Sequence, residues 1–162
     1  MRILGGNTMA EYIQRDSIES VSLNTPITFD SSIPCNRGYV FHENGTGIFI
    51  LRGVVNNPSA CFARYQVTFN GNVSIPTGGE VTPIAVAITV NGEERQSSEA
   101  IYTPAAVETV GNLTSTAIVT VPRGCCFTLA VEYVDGTTDD PATVPTPTIS
   151  VQNGNLTIAR IA

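Results

Sequence analysis

Short extended segments, each closed by turn residues, dominate this sequence and limit the folds that it can adopt. Most of them alternate apolar and polar side chains and end at Gly, Pro or Asn-Gly. In residues 63–69, the alternation places Tyr65, Val67 and Phe69 on one face. No stretch of useful length shows the 3.6-residue period of an amphipathic helix. Such a chain is predicted to form a sandwich or barrel, because each strand has one face that needs cover.

The segments and the turn signals between them predict an all-β domain of about eight to ten strands. Asn-Gly pairs at 70–71, 91–92 and 153–154 are predicted to form turns, the last of them in a closing hairpin. Residues 135–147, which contain Asp, Thr and Pro, are predicted to form a loop. The clearest strand patterns lie at residues 26–29, 47–52, 63–69, 84–90, 113–121, 127–133, 148–151 and 156–158.

The length and composition fit one globular domain. The chain has 162 residues, of which 42% are hydrophobic and 14% charged. Residues 1–25 are more polar and are predicted to form an N-terminal arm, followed by the domain at 26–162. So little charge on a small domain suggests that other subunits cover part of its surface.

The charge and the apolar segments of the sequence argue against several classes of function. The net charge is −6, and the eight basic residues, all Arg, form no cluster, so nucleic-acid binding is not expected. No apolar run approaches the roughly 18 residues of a membrane span. No signal peptide follows Met1, and no cofactor is expected.

The first eight residues suggest a misplaced start. Residues 4–7 can be encoded by a purine-rich stretch that resembles a bacterial ribosome-binding site, a few bases before the codon of Met9. We therefore expect Met9 to be the true first residue. The source would then be a bacterium or a virus of bacteria.

Four cysteines offer little metal chemistry at the sequence level. Cys125 and Cys126 are adjacent, and adjacent strand residues point to opposite faces, so they are not expected to serve one site. We expect Cys35, Cys61 and this pair to be buried, reduced thiols. The alternative is a zinc site that combines Cys35, Cys61, one of the pair and His42, although no Cys-x₂-Cys spacing is present.

The residues available for catalysis are few, and we expect no enzyme activity. His42 is the single histidine, and it is predicted to be solvated in a turn. No Gly-x-Ser-x-Gly elbow accompanies it. The carboxylate pairs Glu93-Glu94 and Asp139-Asp140 are neighbours in loops, whereas glycoside hydrolysis needs two carboxylates facing each other across a cleft.

An acidic loop is the one candidate for an ion site. Asp135, Asp139 and Asp140 surround Gly136 and could offer hard oxygen ligands to Ca²⁺. Their spacing matches no calcium motif, so a hydrated acidic loop is the default interpretation.

The order of motifs resembles the C1q/TNF-like jelly-roll superfamily in its bacterial and phage versions. Residues 47–51 resemble the family's Gly-x-aromatic strand opening, and residues 90–93 its central Asn-Gly hairpin. Residues 121–129 resemble the turn into its penultimate strand, and residues 156–161 its last strand. The resemblance implies an antiparallel two-sheet jelly-roll sandwich. Cys125 replaces the usual Asp, and no collagen-like repeat precedes the domain.

Members of that family form homotrimers, so the resemblance implies self-association. Several strands carry small or apolar residues on the face expected to meet solvent, and an oligomer interface would cover them. The alternative is cover by the second sheet or by a long loop. The candidate interface residues are Phe49, Leu51, Ala85, Ala87, Ala130 and Ile158.

The chain also resembles head fibre and head decoration proteins of phages. This resemblance implies a virion protein on the capsid surface, with the major capsid protein or another virion protein as its partner. The arm is the candidate anchor, and its deletion should block incorporation while the trimer still folds. The alternative is a carbohydrate- or receptor-binding module of a phage tail tip or bacterial surface protein, with a host glycan as ligand. The anchor candidates are Tyr12, Ile13, Arg15 and Ile18.

Overall fold

A computed structural model describes residues 9–14, 18–33, 39–54, 59–136 and 142–161. The predictions that concern Arg15, Cys35, Asp139 and Asp140 lie outside these residues. A single 3₁₀ turn at Gln96–Ser98 interrupts the strands of the described part. The strands are β1 Met9–Ile13, β2 Glu19–Ser22, β3 Ser31–Ile33, β4 Val40–His42, β5 Phe49–Leu51, β6 Phe62–Ser74, β7 Ile84–Val90, β8 Glu93–Glu94, β9 Ala100–Tyr102, β10 Gly111–Pro122, β11 Phe127–Val134 and β12 Thr148–Arg160.

The strands form two antiparallel sheets, which confirms the predicted fold class. The first sheet, called the β6 sheet, has the order β10-β6-β12-β1-β3, and β2 also pairs with β12. The second, called the β7 sheet, has the order β4-β5-β11-β7-β8, and β9 also pairs with β7. Among the described residues, no helix is long and apolar enough to cross a membrane.

The core lies between the two sheets and follows the alternation of the sequence. In β6, the inward residues Tyr65, Val67 and Phe69 are fully buried, as predicted. Aromatic rings join the layers: the ring of Phe29 lies 5.6 Å from that of Phe49 and 6.3 Å from that of Phe69, edge to face in both cases. This packing fixes the two sheets face to face.

The first strand belongs to the domain, so the predicted boundary after residue 25 is wrong. β1 pairs with β12 from Met9 to Ile13 and with β3 on its other side. β2 pairs with the first residues of β12. The polar residues of this segment suggested an arm, but they are the outward half of an alternating strand whose inward residue is Tyr12.

Two of the three Asn-Gly pairs that were predicted to form turns lie inside long strands instead. β6 continues through Asn70 and Gly71, where a Cβ at position 71 would lie 2.6 Å from the Phe69 ring. β12 continues through Asn153, whose φ of 57° marks a β-bulge between Gln152 and Asn155. Only Asn91-Gly92 turns the chain, with both φ values positive.

The remaining strand predictions hold, with one exception. The patterns at 47–52, 84–90, 113–121 and 127–133 correspond to β5, β7, β10 and β11. The segment 26–29 forms only isolated bridges, from Pro26 to Glu132 and from Phe29 to Thr46. Its backbone extends the β7 sheet beyond the end of β5 rather than forming a strand of its own.

Candidate interaction surface

The outward face of the β6 sheet is a regular surface that the chain leaves largely open, and strand pairing arranges its side chains in rows. In the middle row, Thr68 of β6 pairs with Thr116 of β10 and with Thr157 of β12. The hydroxyl oxygens of Thr68 and Thr116 lie 3.2 Å apart. We call this surface, formed by the outward side chains of β6, β10, β12 and β1, the β6 face.

Asparagines occupy one end of the β6 face. The side-chain amide of Asn112 donates to the side-chain oxygens of Asn70 at 2.6 Å and of Asn72 at 3.2 Å. The amide of Asn72 in turn donates to Asn153 at 3.2 Å. These amides therefore bond to one another while remaining uncharged and exposed.

Apolar side chains occupy the other end of the β6 face. Ile118 is 56% exposed, and the row beside it runs through Gln66 and Ala159 to Met9, which is also 56% exposed. Phe62 is 39% exposed and lies under the guanidinium of Arg64, 4.8 Å from its ring centre. Large exposed side chains of this kind lose water favourably when another surface covers them.

The β6 face carries very little charge. Along β6, β10 and β12, which are described in full, Arg64 is the one charged outward side chain. Glu11 of β1 adds one carboxylate, which accepts a hydrogen bond from Asn155. Depletion of charge together with exposed Phe, Met and Ile is typical of a surface buried against another protein.

The six predicted interface residues do not form this surface. Phe49, Leu51 and Ile158 point inward and are buried in the core of the single chain, so their assignment to an interface is wrong. Phe49 packs against Tyr12 from the other sheet, with ring centres 4.7 Å apart. A residue that the chain already covers offers no area to a second copy.

The three predicted alanines lie on the outward face of the β7 sheet but are also covered. Ala85 and Ala87 are fully buried and form a small second cluster with Val134, and Ala130 is 3% exposed. A Cβ at Gly136 would lie 2.7 Å from that of Ala85, so the chain after β11 passes directly over this position. For Ala85, the alternative in which a loop covers the residue is therefore correct.

The anchor candidates are divided between core and surface. Tyr12 is fully buried, and burial raises its pKa to about 12, so it stabilises the core and cannot bind a capsid. Ile13 is half-buried on the β6 face, and Ile18 is 66% exposed. Of the three candidates that the structure describes, only Ile18 has the exposure that an anchor requires.

His42 is part of the core, so the prediction of a solvated turn histidine is wrong. It ends β4 and stacks on Phe49 with ring centres 4.2 Å apart, and Tyr12 approaches it at 5.1 Å. Its Nε2 lies 2.8 Å from the Thr46 carbonyl oxygen. Burial lowers the pKa of His42, because the charged imidazolium loses its hydration.

The cysteine predictions are wrong in two respects. Cys125 and Cys126 are joined by a disulfide, and Cys61 is exposed with a free thiol. Adjacent residues point to opposite faces only in a pleated strand. Cys125 and Cys126 instead follow Gly124, whose φ of 107° places them in a turn. Sulfurs held in a disulfide cannot ligate zinc, so the proposed zinc set is incomplete in this form.

Near the start of the acidic loop, one glutamate has a raised pKa. Burial raises the pKa of Glu99, and the negative charges of Glu94 and Asp135 raise it further. Within the described residues, no group of three or more His, Cys, Asp or Glu side chains is placed to hold a metal ion. The calcium prediction also needs Asp139 and Asp140, so it remains a prediction.

Two shallow clefts adjoin the asparagine end of the β6 face. Both include Pro76 and Thr77, and their volumes are about 400 and 450 Å³. Thr77 donates to Glu108 at 2.5 Å between them. Exposed Ile18 and Val110 line the second cleft. Both clefts present hydroxyl and carboxylate oxygens beside apolar side chains.

Comparisons with known proteins identify the fold. No family model and no curated protein sequence matches the chain. Among solved structures, the globular domain of the zebrafish complement 1qA protein matches with a TM-score of 0.62 at 9% identity, over 95% of this chain and 97% of that one. The Eiger TNF of S. frugiperda matches with a TM-score of 0.63 at 12% identity, over 94% of this chain and 92% of that one. At such identities the likeness concerns the fold alone, and the chain has the two-sheet jelly-roll fold of C1q and TNF globular domains.

Proposed function

We propose that the protein is a homotrimeric binding or structural module without catalytic activity, assembled through the β6 face. The observation that carries the proposal is the open and almost uncharged outward side of β6, β10 and β12. The C1q/TNF-like fold supports it, because domains of that fold form trimers.

The side chains of the β6 face suit contact between identical copies. At the apolar end, Ile118, Phe62 and Met9 would leave water on assembly, which favours association. At the other end, exposed amides and hydroxyls can hydrogen-bond to the same groups of a neighbouring copy without the cost of burying a charge. Self-association would also explain why so little charge is found on this face.

The test is the mass in solution of the wild type and of two matched variants. Ile118→Arg places a cation at the apolar end of the β6 face, where the proposed trimer would bring three of them together. Ile101→Arg is the control, because Ile101 is equally exposed, at 55%, but belongs to β9 of the other sheet. Multi-angle light scattering should give a trimer for the wild type and the control, and a monomer for Ile118→Arg.

Two results would contradict the proposal. A monomeric wild type at micromolar concentration would reject self-association. A trimeric Ile118→Arg variant, with the circular dichroism of the wild type, would show that copies associate through another surface.

Within this class, we propose capsid decoration of a phage as the specific role, with the virion as the location. Its support is the resemblance of the sequence motifs, and Ile18 is the exposed candidate for contact with a capsid. Mass spectrometry of purified particles should then find the protein in a fixed ratio to the capsid protein. Its absence from particles would reject the role and leave the trimer untouched.

The second candidate role is recognition of a carbohydrate or a receptor. The two clefts around Pro76 and Thr77 favour it, because they provide hydroxyl, carboxylate and apolar groups side by side. Binding on a glycan array that is lost in Thr77→Val would support this role. Binding that survives the substitution would place the ligand elsewhere.

The non-catalytic assignment has one supporting observation. The imidazole of His42 lies between Phe49 and Tyr12 in the core, where no substrate can reach it. A general base must come within hydrogen-bond distance of the proton that it removes.

A further inference from the structure

Three cysteines lie at the end of the molecule where β10 turns into β11. Pro122 pairs with Phe62, and the next residue, Arg123, donates its backbone N–H to the carbonyl of Cys61 at 2.9 Å. Cys61 therefore lies opposite a residue that is only two positions from Cys125. The disulfide of Cys125 with Cys126 follows shortly after the residue that bonds to the backbone of Cys61, whose thiol is free.

We propose that these three residues form a thiol–disulfide exchange site. The Cys61 thiol loses its proton to solvent, and its thiolate attacks the Sγ of Cys125. A bond forms between Cys61 and Cys125 while the bond between Cys125 and Cys126 breaks, and the released Cys126 thiolate takes up a proton. One disulfide and one thiol are present before and after the step, so it needs no oxidant or reductant.

The accessibility of the sulfurs supports this direction of attack. Cys61 and Cys125 are both exposed, whereas Cys126 is half-buried where the chain enters β11. The turn that holds Cys125 packs against Gly53, where an added Cβ would clash with the Pro122 carbonyl oxygen. This contact and the hydrogen bond from Arg123 restrict the turn and keep it beside the backbone of Cys61.

The exchange would change how strongly the disulfide constrains the unfolded chain. The bond between adjacent residues closes a ring within one dipeptide, so it removes little freedom from the rest of the chain. A bond from Cys61 to Cys125 encloses β6 through β10 in one loop. Longer closed loops restrict the unfolded chain more, so the exchanged form is the more resistant to unfolding.

Disulfide mapping tests the proposal in a Cys35→Ser background, which removes the fourth thiol. The protein is held at pH 8.5 without added thiol, quenched with acid, alkylated and digested. We expect peptides that link Cys61 to Cys125, with Cys126 alkylated, to increase with time at a rate independent of protein concentration. Cys61→Ser is the matched control and should keep only the bond between Cys125 and Cys126.

Three results would overturn the inference. In the first, Cys61 remains fully alkylated and the original disulfide persists after long incubation. In the second, all three thiols are alkylated in freshly purified protein. In the third, non-reducing gels show linked chains instead of an internal bond. A thermal scan adds an independent readout, since the exchanged form should melt roughly 10 °C above the Cys61→Ser control.

Discussion

The outward faces of the two sheets differ in charge and in how far the chain itself covers them. On the β6 sheet, β6, β10 and β12 carry one outward charge, Arg64, and leave Ile118 and Phe62 exposed. On the β7 sheet, Ala85 and Ala87 are buried under the chain that follows β11. Around Ala85 the β7 sheet is covered by its own chain, although Phe41 and Ile101 remain exposed on its outer strands, whereas the β6 sheet leaves Ile118, Phe62 and Met9 in water.

Acidic residues on and near the β7 face add to this difference in charge between the two sheets. Glu132 lies on the outward face of β11, and Glu99 and Asp135 lie close to the buried alanines. Burial raises the pKa of both Glu99 and Glu132. A charged face resists association with an identical copy, so the difference in charge favours the β6 sheet as the surface of the proposed assembly.

Deletion of residues 9–25 should have the largest effect, because it removes β1 from the interior of the β6 sheet and β2 from beside β12. The deletion takes away β1, which separates β12 from β3, and with it the buried ring of Tyr12. Loss of a buried aromatic side chain alone costs about 3–5 kcal/mol of unfolding free energy. We expect no cooperative thermal transition by circular dichroism, instead of a folded trimer without its anchor.

The control for this deletion is a chain that starts at Met9, which keeps β1 intact. It should melt at the temperature of the full chain. A deletion variant that unfolds cooperatively near that temperature would show that β1 is a dispensable arm.

The same substitution on each face should separate folding from association. Ala85→Leu adds three carbons beneath Gly136, and overpacking of this kind costs about 1–3 kcal/mol. Urea denaturation should show that loss while light scattering still gives the wild-type mass. Ala159→Leu, on the half-open β6 face, should reduce the mass instead. Equal losses of stability with no change of mass would remove the distinction between the faces.

Local alternation predicted most of the fold because burial in this chain follows it closely. The inward faces of β6, β7, β10 and β11 are those that the sequence indicates. The Asn-Gly pairs were ambiguous, since the dipeptide at 91–92 forms a turn and those at 70–71 and 153–154 lie in long strands. Whether such a dipeptide turns depends on how its strand pairs with the neighbouring strands, and the local sequence does not reveal that pairing.

The candidate surface was harder to predict than the fold. The alternation of residues 113–121 puts Thr114, Thr116 and Thr120 on one face, whereas the predicted interface consists of small or apolar residues. Whether Ala85 meets a second copy or its own chain depends on the path of the residues after β11. The vicinal disulfide likewise depends on a turn at Gly124 that interrupts the pleat.

The smallest expected effect is a dependence of stability on pH. It tests whether the partly buried acidic side chains of the β7 face lower the free energy of unfolding. Burial raises the folded-state pKa of Glu132 above the ordinary value of a glutamate, so near neutral pH the folded protein holds a carboxylate in an unfavourable place. This cost is present above the folded-state pKa and disappears as the pH falls through it, because the folded state then binds the proton more readily than the unfolded one. Glu132→Gln should therefore be more stable than the wild type at pH 7, with a difference that closes by about pH 4.

Urea titrations at several pH values measure that difference, which solvent screening limits to a few tenths of a kcal/mol. Glu93→Gln, in the exposed strand β8, is the control for the loss of one negative charge. The buried His42 changes stability in the opposite direction on acidification, but it is present in both proteins and cancels from the comparison. If Glu132→Gln differs from the wild type equally at pH 7 and pH 4, its side chain acts through packing, and the β7 face carries its acids without cost.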